Sequence, residues 1–276
     1  MLGAITLLTL LPSVLTSLPQ DHLAPPPGVR YLDSLFESEV TKDIDYGTVY
    51  NPSFQSMETL KLDLYEPAND PDPLRAVVVW VHGGTFFGGD KTDLIPLGED
   101  FAQRGYVVVT PNFRLMQLGG GQSMDPAYSA GDIASVARWL RANAVTYRID
   151  PNRIMLGGSS SGAVLGLSST YDDLVIGFNM NHWGYSSHFA AIVEISGKLM
   201  RLDQLNTGDP PLLVVHGMLD HSIYFYNAVD LLTRADAVHV YNEHLFFPQA
   251  GHAILNSHYS IIAPAARDFF YRIVIS

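Results

Sequence analysis

The 276-residue chain contains no cysteine. Disulfides, cysteine-ligated zinc, iron–sulfur clusters and a thiol nucleophile are excluded together, so covalent catalysis would need an oxygen or a lysine amine. Basic residues are also scarce: 16 Lys and Arg stand against 28 Asp and Glu, a formal charge of −12. With no basic stripe to attract phosphates, nucleic acid and anionic membrane surfaces are excluded as partners. No Asn-x-Ser/Thr acceptor is present, because Asn51-Pro52-Ser53 carries the forbidden proline. Charge is missing from the opening "MLGAITLLTLLPSVLTSLPQ", and the first charged side chain is Asp21. That stretch is similar to the apolar region of a secretory signal peptide, ending in small residues near Thr16 and Ser17, although no Lys or Arg begins it. Pro12, Ser13, Thr16 and Ser17 interrupt it too often for a stable membrane span of about 20 apolar residues. The expected organisation is a signal peptide over residues 1–17, a Pro-rich linker over 18–39 around "LAPPPGV", and one domain over 40–276. The product would be secreted.

The full 276-residue chain is 47% apolar and 16% charged, a globular composition long enough to bury a sizeable core. Leu60, Leu62 and Leu64 alternate with polar residues in "LKLDLYE", which predicts a half-buried antiparallel strand. Beyond it the pattern changes to continuous apolar runs: "AVVVWV" at 76–81, "YVVVT" at 106–110, "RIML" at 153–156, "AIVEI" at 191–195 and "LLVVH" at 212–216. Runs of this kind are strands buried on both faces. Helical spacing between them is clearest at Ala130, Ile133, Ala137 and Leu140, and further helices are predicted over 223–235 and from His258 towards Arg272. Strands alternating with helices predict an α/β fold, a mostly parallel doubly wound sheet with helices on both faces. The segment 171–189 fits neither element and is read as a flap near the sheet top.

The chemistry is concentrated in four places. "IMLGGSSSGA" passes from a strand through a tight turn into a helix, and one register alone sets a glycine two residues to either side of a serine: Gly158-Ser159-Ser160-Ser161-Gly162. This is the G-x-S-x-G nucleophile elbow, with Ser160 at its apex. "HGGTFFGGD", residues 82–90, follows a predicted strand, and its glycines let backbone N–H groups approach a developing oxyanion. Neither G-x-x-x-x-G-K-[ST] nor G-x-G-x-x-G occurs, which removes a phosphate loop. "HGMLDHSI" supplies Asp220, and "FPQAGHAI" supplies His252 just before the last helix. The order Ser160, Asp220, His252 is that of the α/β-hydrolases.

These four motifs, in this order, resemble the HGG-type esterase/lipase group of the α/β-hydrolase fold, which includes carboxylesterases, feruloyl and acetylxylan esterase-like enzymes and arylformamidases. The resemblance extends from about Leu60 to the end. It implies catalysis by Ser160, Asp220 and His252, with an oxyanion hole made by the backbone N–H groups of Gly84, Thr85 and Ser161. Thr85 stands where a third glycine is frequent and Ser161 where alanine is frequent; neither change removes a donor, but Thr85 narrows the space for a bulky alcohol. The expected function is hydrolysis of small-molecule carboxylic esters with short acyl groups, without metal or organic cofactor. Amide hydrolysis would use the same residues, and a non-catalytic small-molecule binding protein is the reading of a different class. Among the other histidines, His82 and His216 are expected to brace loops, His221 and His244 to lie on the surface, and His258 to cap the last helix. Glu194, inside an apolar strand, is the alternative acid. Phe86, Phe87, Met218 and Leu219 are the candidate pocket lining. Oligomeric state has no sequence signal here.

Overall fold

A computed structural model describes residues 28–118 and 124–276. The expected signal peptide and the first part of the expected linker lie outside the described residues. Eight strands form one sheet: β1 (Ser38–Asn51), β2 (Ser56–Pro67), β3 (Arg75–Val81), β4 (Val107–Pro111), β5 (Ile149–Ser159), β6 (Ile192–Ile195), β7 (Leu212–Gly217) and β8 (Asn242–Phe247). Their order is β1-β2-β4-β3-β5-β6-β7-β8. β2 is antiparallel to both β1 and β4, and every other pairing is parallel.

The continuous apolar runs are explained by helices on both faces. In β3, Val77, Val79 and Val81 enter one core, and Ala76, Val78 and Trp80 enter the other. The first core is covered by α2 (Ala127–Ala142), α3 (Ser161–Tyr171) and α4 (Tyr226–Ala237). The second is covered by α1 (Ile95–Ala102) and α6 (Tyr259–Phe270), with the short α5 (Ile254–Ser257) ahead of α6. Each fully buried valine of β3 contributes on the order of 1.5–3 kcal/mol.

Three features differ from the sequence reading. β1 and β8 are strands at the two edges of the sheet that the apolar pattern does not reveal; β1 is largely exposed, and β8 opens on Asn242, Glu243 and His244. The end of the expected linker is docked: Tyr31 is buried, its N–H donates to Arg104 O (2.7 Å), and Arg30 forms an ion pair with Asp70 (2.6 Å). The segment 171–189 lies along α2. Arg138 donates to Asn179 O (2.6 Å) and Asn181 O (3.0 Å), Arg141 donates to Ser186 O (2.8 Å) and His188 O (2.7 Å), and His182 Nε2 bonds Tyr46 O (2.9 Å). These bonds make it a strap over a helix. Buried Arg114 closes the upper end, donating to Phe178 O (2.9 Å) while its guanidinium pairs with Asp132 (2.6 Å).

Candidate active site

The site forms at the carboxyl ends of the parallel strands, where an open α/β sheet presents its loops. β5 ends at Ser159, α3 begins at Ser161, and Ser160 alone makes the turn at φ 55° and ψ −124°. A residue other than glycine held at positive φ is strained, and that strain lifts its side chain clear of the sheet. The flanking glycines are required by contact distances. A Cβ on Gly162 would come within 2.3 Å of Val81 O, and one on Gly158 within 2.6 Å of Gly162 O. Ser160 N–H donates to Ile195 O (2.9 Å), which ties the apex to β6.

The geometry joins three of the residues singled out by sequence. Ser160 Oγ–H donates to His252 Nε2 (2.7 Å), and His252 Nδ1–H donates to Asp220 Oδ2 (2.7 Å). Asp220 is buried; its other oxygen accepts the N–H groups of Ser222 (2.8 Å) and Ile223 (3.0 Å). A carboxylate so held keeps the histidine in one tautomer, with Nε2 free to take the serine proton. Ser196, which sequence reasoning missed, donates to His252 O (3.0 Å) and fixes the histidine loop to the end of β6. No motif marks it; the only signal is its place immediately after an apolar strand.

On the other side of Ser160 the His82–Asp90 loop folds back on itself. Gly84 has φ +123°, and a Cβ there would sit 2.0 Å from Gly88 O. Thr85 and Phe86 follow at φ 57° and 69°. Gly84 O accepts the N–H groups of Phe87 (3.1 Å) and Gly88 (3.0 Å) and the Thr85 hydroxyl (2.7 Å). Among the described residues, the Gly84 and Thr85 N–H groups have no protein acceptor. Ser161 is the first residue of α3, so its N–H lacks a helical partner and lies at the positive end of the helix dipole.

The loop is braced at both ends. Buried His82 donates through Nδ1 to Gly83 O (2.7 Å) and stacks on Phe113 at 4.5 Å; burial lowers its pKa. At the far end Asp90 accepts from Asn112 Nδ2 (2.8 Å) and from the Thr92 N–H and hydroxyl. Although burial works the other way, these bonds bring its carboxyl down to about 2.

A cleft of about 440 Å³ opens at Ser160 and His252, lined by Thr85, Asp93, Leu94, Leu255 and Asn256 among others. Phe86, Phe87, Met218 and Leu219 are not in its lining. The turn at Gly84 directs Phe86 against the core, while Phe87, Met218 and Leu219 stay exposed. His221 and His244 are exposed, and His258 precedes α6 with its ring near Ser257 Oγ (2.8 Å), making no side-chain cap. Among the described residues no three His, Asp or Glu side chains are grouped as a metal site requires, and no helix is long and apolar enough to cross a membrane.

The BD-FAE family model matches residues 62–204, just over half of the chain, from β2 through the His82–Asp90 loop and the Ser160 elbow. The chain belongs to the BD-FAE family. In this BD-FAE protein Asp220 and His252 lie beyond the matched stretch, so their meeting with Ser160 is an independent result of the fold. Its curated relatives include para-nitrobenzyl esterase of Bacillus subtilis, 32% identical over 117 residues, which are 40% of this chain and 24% of that protein. Fumonisin B1 esterase of Sphingopyxis macrogoltabida is 32% identical over 126 residues, covering 42% and 23% of the two chains. The matched part is thus about a quarter of those relatives' length. Among solved structures, the butyrate-bound thermophilic esterase 2 of Thermogutta terrifontis superposes with a TM-score of 0.72 at 23% identity, over 86% of this chain and 94% of that one. The fold is therefore the α/β-hydrolase fold.

Proposed function

We propose that the protein is a serine hydrolase that cleaves small carboxylic esters through an acyl-enzyme. The carrying observation is the unbroken path Ser160 Oγ, His252 Nε2, His252 Nδ1, Asp220 Oδ2, with 2.7 Å at each hydrogen bond. Ser160 Oγ bonds to the ester carbonyl carbon as His252 Nε2 takes the hydroxyl proton, and the carbonyl oxygen becomes an oxyanion held by the N–H groups of Gly84, Thr85 and Ser161. His252 then gives its proton to the departing alkoxide. Water repeats the sequence on the acyl-enzyme, protonating Ser160 and releasing the acid. Asp220 stabilises the imidazolium in both halves.

Short acyl groups fit this site best, because the cleft is near the lower end of the range for small-molecule pockets, and strap 171–189 is committed to α2. The relatives named as esterases support an ester over an amide, as does the neighbouring esterase 2 of Thermogutta terrifontis, which is described as phosphorylated by paraoxon. A fluorophosphonate probe followed by peptide mapping tests the reading. Label should fall on Ser160, with Ser159 and Ser161 untouched, and butyryl esters should turn over faster than palmitoyl esters. No label, or label on a neighbouring serine, overturns it. The same reading includes export through the uncharged residues 1–17; N-terminal sequencing of protein recovered from the medium should begin after this stretch, and an intact Met1 would refute cleavage.

A further inference from the structure

Behind Asp220 lie two ionisable side chains that the mechanism above does not use. Glu194 on β6 and His216 on β7 are both wholly buried, and His216 Nδ1 is 4.0 Å from Glu194 Oε1. His216 Nε2 lies 2.9 Å from Ile223 O and 3.3 Å from Asp220 Oδ2. Glu194 Oε2 accepts the Gly197 N–H (2.7 Å), while Glu194 Oε1 and His216 Nδ1, facing each other at 4.0 Å, make no hydrogen bond among the described residues. The oxygen of Asp220 that receives His252 is therefore also the one facing His216.

We propose that Glu194 and His216 hold one proton between them, so that His216 stands behind the triad as an imidazolium and presents a charged Nε2–H to Asp220. His216 is thereby a positioning residue, with Glu194 as its counterion; the inference rests on the esterase reading of the site. His216 Nε2 faces a carbonyl oxygen and a carboxylate oxygen, both acceptors, so it must carry hydrogen. Nδ1 faces the second carboxylate. Were Nδ1 bare, its lone pair would oppose Glu194 Oε1 at 4.0 Å, and two buried carboxylates would face the ring with no cation between them. A second ring proton removes both faults.

The surroundings are otherwise apolar or distant. β8 places Phe246 beside His216, with exposed His244 stacked on the outer side of that ring at 4.5 Å; Phe225 meets the His216 ring edge-on at 6.1 Å; exposed His221 adjoins Asp220; and α3 presents Ala163 to Gly197. Burial pulls the His216 pKa down, but Glu194, the Ile223 carbonyl and Asp220 outweigh it and hold it above the ordinary histidine value.

The consequence falls on the hydrogen bond between Asp220 and His252: a positive charge beside Asp220 weakens the pull of that carboxylate on the Nδ1 proton. Removing the imidazole in His216→Gln, or its counterion in Glu194→Gln so that the ring loses its proton, should have the same effect. In each variant the acid limb of kcat/KM should move up by roughly half to one pH unit, with kcat on the plateau falling no more than about tenfold. The double variant should move no further than either single one, because the two residues act as a unit. A purely structural role would lower activity without moving the limb.

Fluorophosphonate labelling of Ser160 in each variant shows that the site is assembled. A wild-type chain that neither labels nor turns over esters would refute the esterase reading, whereas labelled, active variants with an unmoved limb would refute the role of the pair alone. Should the variants fold poorly, long-range 1H–15N spectra of the intact wild-type chain decide. His216 should carry protons on both ring nitrogens at pH 7, and a neutral ring there overturns the proposal.

Discussion

Ser160 sits at the convergence of three loops, and its reactivity depends on the one carboxylate that sets the tautomer of His252. Replacing Asp220 by Asn offers the ring an amide N–H and favours the wrong tautomer, so kcat should fall on the order of 10³–10⁴-fold while the thermal midpoint changes little. Steady-state kinetics beside a melting curve checks this. A variant retaining more than a tenth of wild-type kcat would move the acid role elsewhere. Ser160, Asp220 and His252 are legible in the sequence because each chemistry imposes a local backbone signature: glycines two residues to either side, a strand end before the acid, a Gly-His connector before the last helix. The proposed donors Thr85 and Ser161 are read from the loop motifs alone, since backbone donors depend on the loop and not on the side chain. Ser196 and the Glu194–His216 contact were hidden. They depend on the adjacency of β6 and β7 and on where the histidine loop crosses them, and residues far apart in sequence carry no local mark of that. Phe86, Phe87, Met218 and Leu219 stand outside the lining of the cleft at Ser160, and aromatic and methionine side chains beside a motif serve core and surface equally well.

At the level of elements, the elbow and the His82–Asp90 loop make contrasting demands. Gly162→Ala drives a Cβ into Val81 O at 2.3 Å, a backbone atom that cannot move aside, and should cost more than about 3 kcal/mol or leave the protein insoluble. Gly177→Ala meets nothing within 4 Å and should change stability by less than about 0.5 kcal/mol, which makes it the control in chemical denaturation. Asn112 secures the far end of the oxyanion loop, accepting Lys91 N–H (2.7 Å) as well as donating to Asp90. Asn112→Ala should cost about 1–2 kcal/mol and lower kcat by roughly tenfold with little change in KM, since it loosens the donors that act on the oxyanion. An unchanged kcat would mean the loop holds its shape without that tether. The five buried runs announced their strands by length and β-branched content. β1 and β8 did not, because an edge strand with polar or exposed residues lacks both the continuous run and a clean alternation. The strap at 171–189 was legible only as irregular. Its partners, Arg138 and Arg141, are one turn apart on α2 and more than forty residues before the carbonyls they bind.

For the molecule as a whole, two buried histidines give stability opposite slopes with pH. The pKa of His82 is depressed in the folded state, so as pH falls through about 6.5 the unfolded chain binds a proton that the folded chain refuses; the stability advantage of wild type over His82→Asn should narrow on acidification. That of His216 is raised, so its contribution is fully present below about 6.5 and disappears as pH rises through its higher folded value; the advantage over His216→Gln should narrow on the alkaline side. Melting temperatures across pH 5 to about 9 check both signs. The fold class was readable because alternating buried strands and helices allow few architectures. How the N-terminal segment joins the body was not, since Arg30 and Tyr31 bind positions around Asp70 and Arg104 that no local pattern connects to them. That junction has a practical outcome. Tyr31 and Arg30 grip the start of β3 and β4, whereas Ser160 stands at the finishing end of the parallel β5, about 20 Å away along the length of the strands. A bead, a carrier or a fused protein coupled ahead of Gly28 would therefore hold the molecule by its back, with the cleft turned outward to the solution.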